Sequence, residues 1–192
     1  MKFGRKRIRQ TTAERRAERA EIDDLEIVLA AALRFLEVRQ RSTAEVRRRL
    51  ATAGYREELV EGAIERLVDL GMLDDAAFAQ SWVESRDRAR PRGERALRSE
   101  LARKGIERQL TDDVLTERQV QTPDADADAA QRLLAGQARS LERVADPSAR
   151  RQRAYALLAR SGFDPSTAGD AVRRWLASST EREAPEDAAD LE

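Results

Sequence analysis

Residues 71–106 read GMLDDAAFAQSWVESRDRARPRGERALRSELARKGI, and the way this stretch is punctuated decides the fold. Asp74-Asp75 opens a helix, because a carboxylate at the N-cap accepts from the free N–H groups of the first turn. Phe78, Trp82 and Val83 form its apolar stripe, with the spacing of packing residues, and Pro91 and Gly93 end it. A second, short helix follows and closes on Gly105, a residue that enters the left-handed C-cap conformation without a Cβ clash. The closing unit, RSELARKGI, has counterparts in RRRLATAGY upstream and YALLARSGF downstream. Aligning Gly54, Gly105 and Gly162 puts Leu50, Leu101 and Leu158 four residues earlier and Tyr55, Ile106 and Phe163 directly after. Ten residues beyond each glycine stand Ile64, Leu115 and Val172. Three copies, separated by 51 and 57 residues, predict an internal repeat.

Each repeat reads as three helices. In the first, Asp23-Asp24 starts a helix with Leu25, Leu29, Ala32, Leu33 and Leu36 on one face. Ser42-Thr43-Ala44-Glu45 is a capping-box pattern for the second helix, and a third ends at Gly71. In the last repeat, Thr122-Pro123, Asp146-Pro147 and Asp164-Pro165 pair an N-cap with a proline suited to the first helical turn. Its first helix has a thin stripe, chiefly Leu133, Leu134 and Leu141, and is expected to be long and exposed. The predicted fold is all-α: an elongated array of three tandem three-helix repeats over residues 23–71, 72–121 and 122–178. Residues 1–22 are expected to be a disordered basic arm and residues 179–192 a disordered acidic tail.

Composition supports helices and excludes several chemistries. Alanine supplies 33 of the apolar residues, and no Val/Ile/Thr run alternates with period two. Arginine outnumbers lysine 33 to 3, a bias that codon usage across a genome would produce, so it is not read as chemistry. Cysteine and histidine are absent, which removes disulfides, thiol nucleophiles, the commonest general base and the usual zinc ligands. The nine glycines form neither a phosphate-cradling loop nor a dinucleotide fingerprint, so no cofactor is expected. No apolar run reaches the roughly 20 residues of a membrane span, and a cytoplasmic protein without membrane contact is expected. The acidic pairs Asp23-Asp24 and Asp74-Asp75 are explained by helix capping, whereas Asp112-Asp113 lies inside a helix with its carboxylates directed apart.

What remains is basic. The formal charge is zero, but residues 1–20 carry eight basic and two acidic side chains, and residues 181–192 six acidic and one basic. Between Glu84 and Lys104 there are eight basic residues against four acidic. Arg86, Arg88, Arg90, Arg92, Arg95, Arg98, Arg103 and Lys104 are therefore the candidates for contact with a partner or with DNA; a solvated helical face is the plainer alternative. Gly54, Gly71, Gly105, Gly162, Asp74, Phe78, Trp82 and Leu101 are assigned structural roles.

The runs Gly71-Met72-Leu73-Asp74-Asp75, Phe78-Ala79, Trp82-Val83, Ser85-Arg86 and Glu100 to Ile106 resemble the RecX family, bacterial regulators of the RecA recombinase. The resemblance covers residues 25–120 well and extends more weakly to about 178. It implies a non-enzymatic protein of tandem three-helix repeats that binds along the groove of a RecA–DNA filament. It also implies modulation, usually inhibition, of strand exchange and ATP hydrolysis, in DNA repair and the SOS response. RecA, with weak non-specific single- or double-stranded DNA, is the expected partner, and the protein is expected to be a monomer. The family's longer basic loop in the middle repeat is here the compact RARPRGER. The alternative is a helix-turn-helix transcription factor that reads DNA directly. The helices after the three glycines offer mostly Glu, Asp and a few Arg, a poor set for base edges.

Overall fold

The computed structural model describes residues 11–183, and side chains within 11–178. Among the described residues the structure is all α-helical: α1 (Thr12–Ala20), α2 (Leu25–Leu36), α3 (Thr43–Ala53), α4 (Glu57–Asp69), α5 (Asp75–Ala89), α6 (Glu94–Lys104), α7 (Arg108–Gln121), α8 (Ala125–Glu142), α9 (Pro147–Arg160) and α10 (Pro165–Glu183). Helices α2–α4, α5–α7 and α8–α10 are the three tandem three-helix repeats. No described helix is long and apolar enough to cross a membrane.

By compactness the chain divides into two units. Of the described residues, the first holds those through Phe78 together with Lys104–Ile106; the second holds Ala79–Arg103 and those from Glu107 on. In the first unit α2, α3 and α4 pack pairwise around Val28, Ala32, Val46, Leu50, Val60, Ile64 and Leu67. In the second, α8, α9 and α10 enclose Ala129, Ala130, Leu134, Leu158, Phe163, Val172 and Trp175. Burying Val, Leu, Ile or Phe side chains contributes about 1.5–3 kcal/mol each, so these stripes supply the main drive to fold. Alanine does the close packing in α8: Ala125, Ala129 and Ala130 are buried beside Leu134 and Leu141, which widens the thin leucine stripe seen in the sequence.

The capping signals act as the sequence predicts at most helix starts. Ser42 and Glu45 form a reciprocal capping box on α3. Asp74 accepts from the Ala76 and Ala77 N–H groups at the start of α5, and Asp146 from those of Ser148 and Ala149 ahead of Pro147. All four glycines expected to close helices, Gly54, Gly71, Gly105 and Gly162, have positive φ. After Gly54 and Gly162 the next residue folds back: Tyr55 N–H donates to the Leu50 carbonyl and Phe163 N–H to that of Leu158.

Three local expectations change. Residues 12–20, placed in the disordered arm, form α1, whose Thr11 and Glu14 make a capping box; no apolar stripe announces it, and the helix buries no residue. Residues 1–10 of that arm lie outside the described residues, as do residues 184–192 of the tail; α10 itself continues to Glu183. Thr122 does not cap α8: it is the C-cap of α7, and α8 begins after Asp124, whose side chain makes no capping hydrogen bond.

One junction recurs at the three glycine turns. The carbonyl just before Gly54, that of Ala53, accepts from Arg19 of α1 at 3.3 Å. The carbonyl just before Gly105, that of Lys104, accepts from the Ser42 hydroxyl at 2.6 Å. The carbonyl just before Gly162, that of Ser161, accepts from the Gly93 N–H at 3.1 Å. In each case the glycine face is closed by the donor's own neighbourhood. A Cβ on Gly54 would lie 2.7 Å from the Arg16 carbonyl oxygen, one on Gly105 2.3 Å from the Ala44 Cβ, and one on Gly162 2.4 Å from the Ala96 nitrogen. In the last two junctions the start of one helix meets the end of another, which satisfies an orphan carbonyl and sets opposite helix-dipole ends together. In the first, α1 fills the place that the start of a helix fills in the others.

Candidate partner-binding surface

The basic stretch 86–104 runs from the last turn of α5 through the 90–93 turn and along α6. Its organising residue is an acid, Glu100. Glu100 Oε2 accepts from Arg86 Nε at 2.6 Å and from Trp82 Nε1 at 2.9 Å, and Oε1 stands 3.6 Å from Arg92 Nε. The Arg86 guanidinium also lies over the Trp82 ring, 4.3 Å from its centroid. Burial pushes the Glu100 carboxyl up, but the Arg86 and Trp82 hydrogen bonds and the charges of Arg86 and Arg92 outweigh it and hold it below its ordinary value. Trp82 is thus half-buried, with its N–H engaged; Phe78 and Leu101 are fully packed.

Other members of the stretch also have partners. Arg98 bonds Glu94 at 2.7 Å within α6 and Asp112 of α7. Arg92 Nη1 reaches the Ser161 hydroxyl at 3.5 Å and Arg95 Nη2 the Ala159 carbonyl at 3.2 Å, which ties α6 to the end of α9. Lys104 Nζ meets Glu45 Oε1 at 2.8 Å, and Glu45 also takes Arg39 at 3.1 Å. Nearby, Arg118 is clamped between Asp87 and Asp126, with hydrogen bonds of 2.7–2.8 Å to both. Burial lowers the Arg118 pKa, but the two carboxylates more than reverse it.

The eight candidates therefore do not form one uniform strip. Arg86, Arg92, Arg98 and Lys104 sit in ion pairs and Arg95 on a carbonyl. Arg88 and Arg90 are exposed and form no ion pair with a described residue; Arg103 is exposed as well. The Asp112-Asp113 pair makes no joint site, since Asp112 faces Arg98 and Asp113 accepts from Gln109. Sequence reading missed the role of Glu100. Its signal was available in principle: it is an acid at half-buried helical spacing inside a strongly basic run. Chemically, the surface offers fixed cationic forks for an anionic partner and no acid–base or nucleophilic constellation among the described residues.

Residues 29–67 match the family model described as RecX, first three-helix domain, and residues 74–115 match RecX, second three-helix domain. A regulatory protein RecX of Mycobacterium sp. (strain KMS) is 36% identical over 153 residues, covering 78% of this chain and 82% of that protein. One of Mycobacterium avium (strain 104) is 34% identical over 153 residues, with 80% and 87% covered. The crystal structure of RecX from Lactobacillus salivarius matches with a TM-score of 0.68 and covers 81% of this chain and 98% of that one; at 22% identity this likeness concerns the fold.

Proposed function

Since the chain belongs to the RecX family of regulatory proteins, we propose that it binds RecA–DNA filaments and inhibits the recombinase. Strand exchange and ATP hydrolysis are the activities affected, in recombinational repair and the SOS response. The protein acts as a cytoplasmic monomer, has no enzymatic activity of its own, and binds bare DNA only weakly and without sequence preference.

The observation that carries this reading is the state of the two exposed arginines at the end of α5. Arg88 and Arg90 form no ion pair with a described residue, while the Glu100 network beside them fixes the end of α5 and the turn after it. Guanidinium forks carried on a fixed backbone suit phosphate or carboxylate partners, because the planar fork matches both geometrically and little backbone freedom is left to lose on binding. The helix-turn-helix alternative is poorly supported by the residues on α4 and α7. The helices that would read bases present acids: Glu57, Glu58 and Glu65 are exposed on α4, and Asp113 and Glu117 on α7. Carboxylates in a groove would be repelled by the phosphates around them.

The test is an ATPase titration of RecA filaments with the parent and with the double reversal Arg88→Glu/Arg90→Glu. Reversal leaves the fold intact, because exposed unpaired arginines contribute little to stability. The expected result is inhibition weakened by about tenfold or more and less sensitive to salt. A folded double variant that inhibits like the parent removes this surface from the interface. Arg92 and Arg95 are poorer choices for this test, since both hold the end of α9.

A further inference from the structure

We propose that the first unit carries a separate binding site for single-stranded nucleic acid, in the cleft between α1, α2 and α3. The cleft has a volume of about 690 Å³ and an asymmetric charge: Arg15, Arg16, Arg19, Arg34 and Arg49 line it, and among the described residues no carboxylate does. The arginines converge from three helices, so the charge surrounds the opening instead of lying along one face. None of the five forms an ion pair with a described residue, and four of them are exposed; Arg19 is half-buried and gives one N–H to the Ala53 carbonyl. Five cations gathered with no carboxylate among the described lining residues repel one another, and a polyanion relieves that repulsion.

Two aromatic rings share the cleft. Arg49 and the adjacent Arg41 stand over the Phe35 ring at 5.6 and 4.2 Å from its centroid, and Arg19 over Tyr55 at 5.7 Å. Arg41 is itself crowded: burial and the Arg39 charge both push its pKa down, and its buried Nε has no hydrogen-bond partner among the described residues. Val38 adds an exposed apolar side chain at the rim. A positive groove combined with aromatic and guanidinium planes is what single-strand binding requires: phosphates meet the forks and bases stack on flat groups, whatever their sequence. An acidic peptide would use the charge but gain nothing from the planes. Double-stranded DNA keeps its bases stacked inside and could not use them either.

The site is independent of Arg88 and Arg90, and its test uses the full chain with fluorescein-labelled oligo-dT, followed by anisotropy across a salt series. Arg34→Glu/Arg49→Glu spares Arg16 and Arg19, which hold the Gly54 turn. It should weaken binding at least tenfold and reduce the salt slope by about 1.4, the amount for two lost single-strand phosphate contacts. Arg34→Gln/Arg49→Gln gives the same reading if circular dichroism shows the reversal to be unfolded. Phe35→Leu, which keeps an apolar side chain at the position, should weaken binding several-fold with the slope unchanged. Arg151→Glu/Arg153→Glu, a charge-matched pair exposed on α9, should change it less than threefold. The proposal is overturned if the Arg34/Arg49 variants bind oligo-dT like the parent, or if the matched control loses as much. It is also overturned if polyglutamate at equal charge displaces the oligonucleotide from the parent, which would make the cleft a site for acidic peptide.

Discussion

The Ser42 hydroxyl donates to the Lys104 carbonyl at 2.6 Å, across 62 residues of chain. The same oxygen accepts from the Glu45 N–H at 3.2 Å, so one fully buried hydroxyl caps the start of α3 and satisfies the end of α6. Ser42→Ala removes both. Loss of an N-cap costs about 1 kcal/mol, and a carbonyl left unsatisfied in a buried site a further 1–3 kcal/mol or so. At roughly 2–4 °C per kcal/mol for a chain of this size, the midpoint of thermal unfolding should fall clearly, with helicity retained below it. A midpoint within 1 °C or so of the parent would mean that water replaces the hydroxyl without loss.

Gly105 and Gly71 separate two reasons for requiring glycine. Both have positive φ, 80° and 67°. At Gly71 a Cβ would meet nothing within 4 Å, whereas at Gly105 it would press on the Ala44 Cβ at 2.3 Å. Gly71→Ala should therefore show only the left-handed backbone penalty, about 1–2 kcal/mol. Gly105→Ala should add an overpacking cost of about 1–3 kcal/mol. Equal losses in urea unfolding would show that the Ala44 contact yields freely and that backbone conformation alone selects glycine at both positions.

Glu100 makes stability depend on pH in a definite direction. Its folded carboxyl titrates below the ordinary value of 4.5, despite burial, because of Arg86, Trp82 and Arg92. A depressed carboxyl contributes stability that is present above its unfolded pKa and lost as pH falls through the folded one. Urea midpoints should hold from pH 7 to about 5 and then decline below 4.5. Glu100→Gln should start lower at pH 7, having lost the charged acceptor, and should show a shallower acid decline. Glu45, depressed by Lys104 and Arg39 against its own burial, acts in the same sense and leaves a residual slope. If Glu100→Gln reproduces the parent's pH profile, the network does not supply the acid sensitivity.

What could be read from the sequence was what is local. The glycine turns, the leucines four residues before them and the Ser42, Asp74 and Asp146 caps depend on side chains within one helical turn of the feature they explain. The partners of the arginines do not. Nothing in the run from Arg86 to Lys104 says that Glu100 gathers Arg86, Arg92 and Trp82, or that Arg95 reaches a carbonyl 64 residues away. Density of charge was visible, but its distribution between ion pairs and solvent is decided by tertiary contacts. Helix α1 was missed because Thr12–Ala20 has no apolar stripe; its one local signal was the Thr11–Glu14 capping box. The cleft followed from that omission, since three of its five arginines stand on α1.

That omission has a measurable counterpart at Gly54. A Cβ there would lie 2.4 Å from the Arg16 Cγ and 2.7 Å from its backbone oxygen. The side-chain contact can swing aside, but the backbone one cannot unless α1 moves as a body. Since α1 buries no residue, moving it is cheap, and the added cost of Gly54→Ala is limited by how firmly α1 is docked. A double-mutant cycle measures that limit: parent and Gly54→Ala, each as the full chain and as a chain beginning at residue 22. In the shortened chain Gly54→Ala should cost only the left-handed penalty, about 1–2 kcal/mol. In the full chain it should cost about 0.5–1 kcal/mol more, the coupling expected of neighbours in contact. The same substitution in the full chain should weaken oligo-dT binding, because Arg15, Arg16 and Arg19 leave the cleft together with α1. Zero coupling with unchanged oligonucleotide binding would mean that α1 does not dock on the Gly54 turn in solution, and both the first junction and the cleft would fail together.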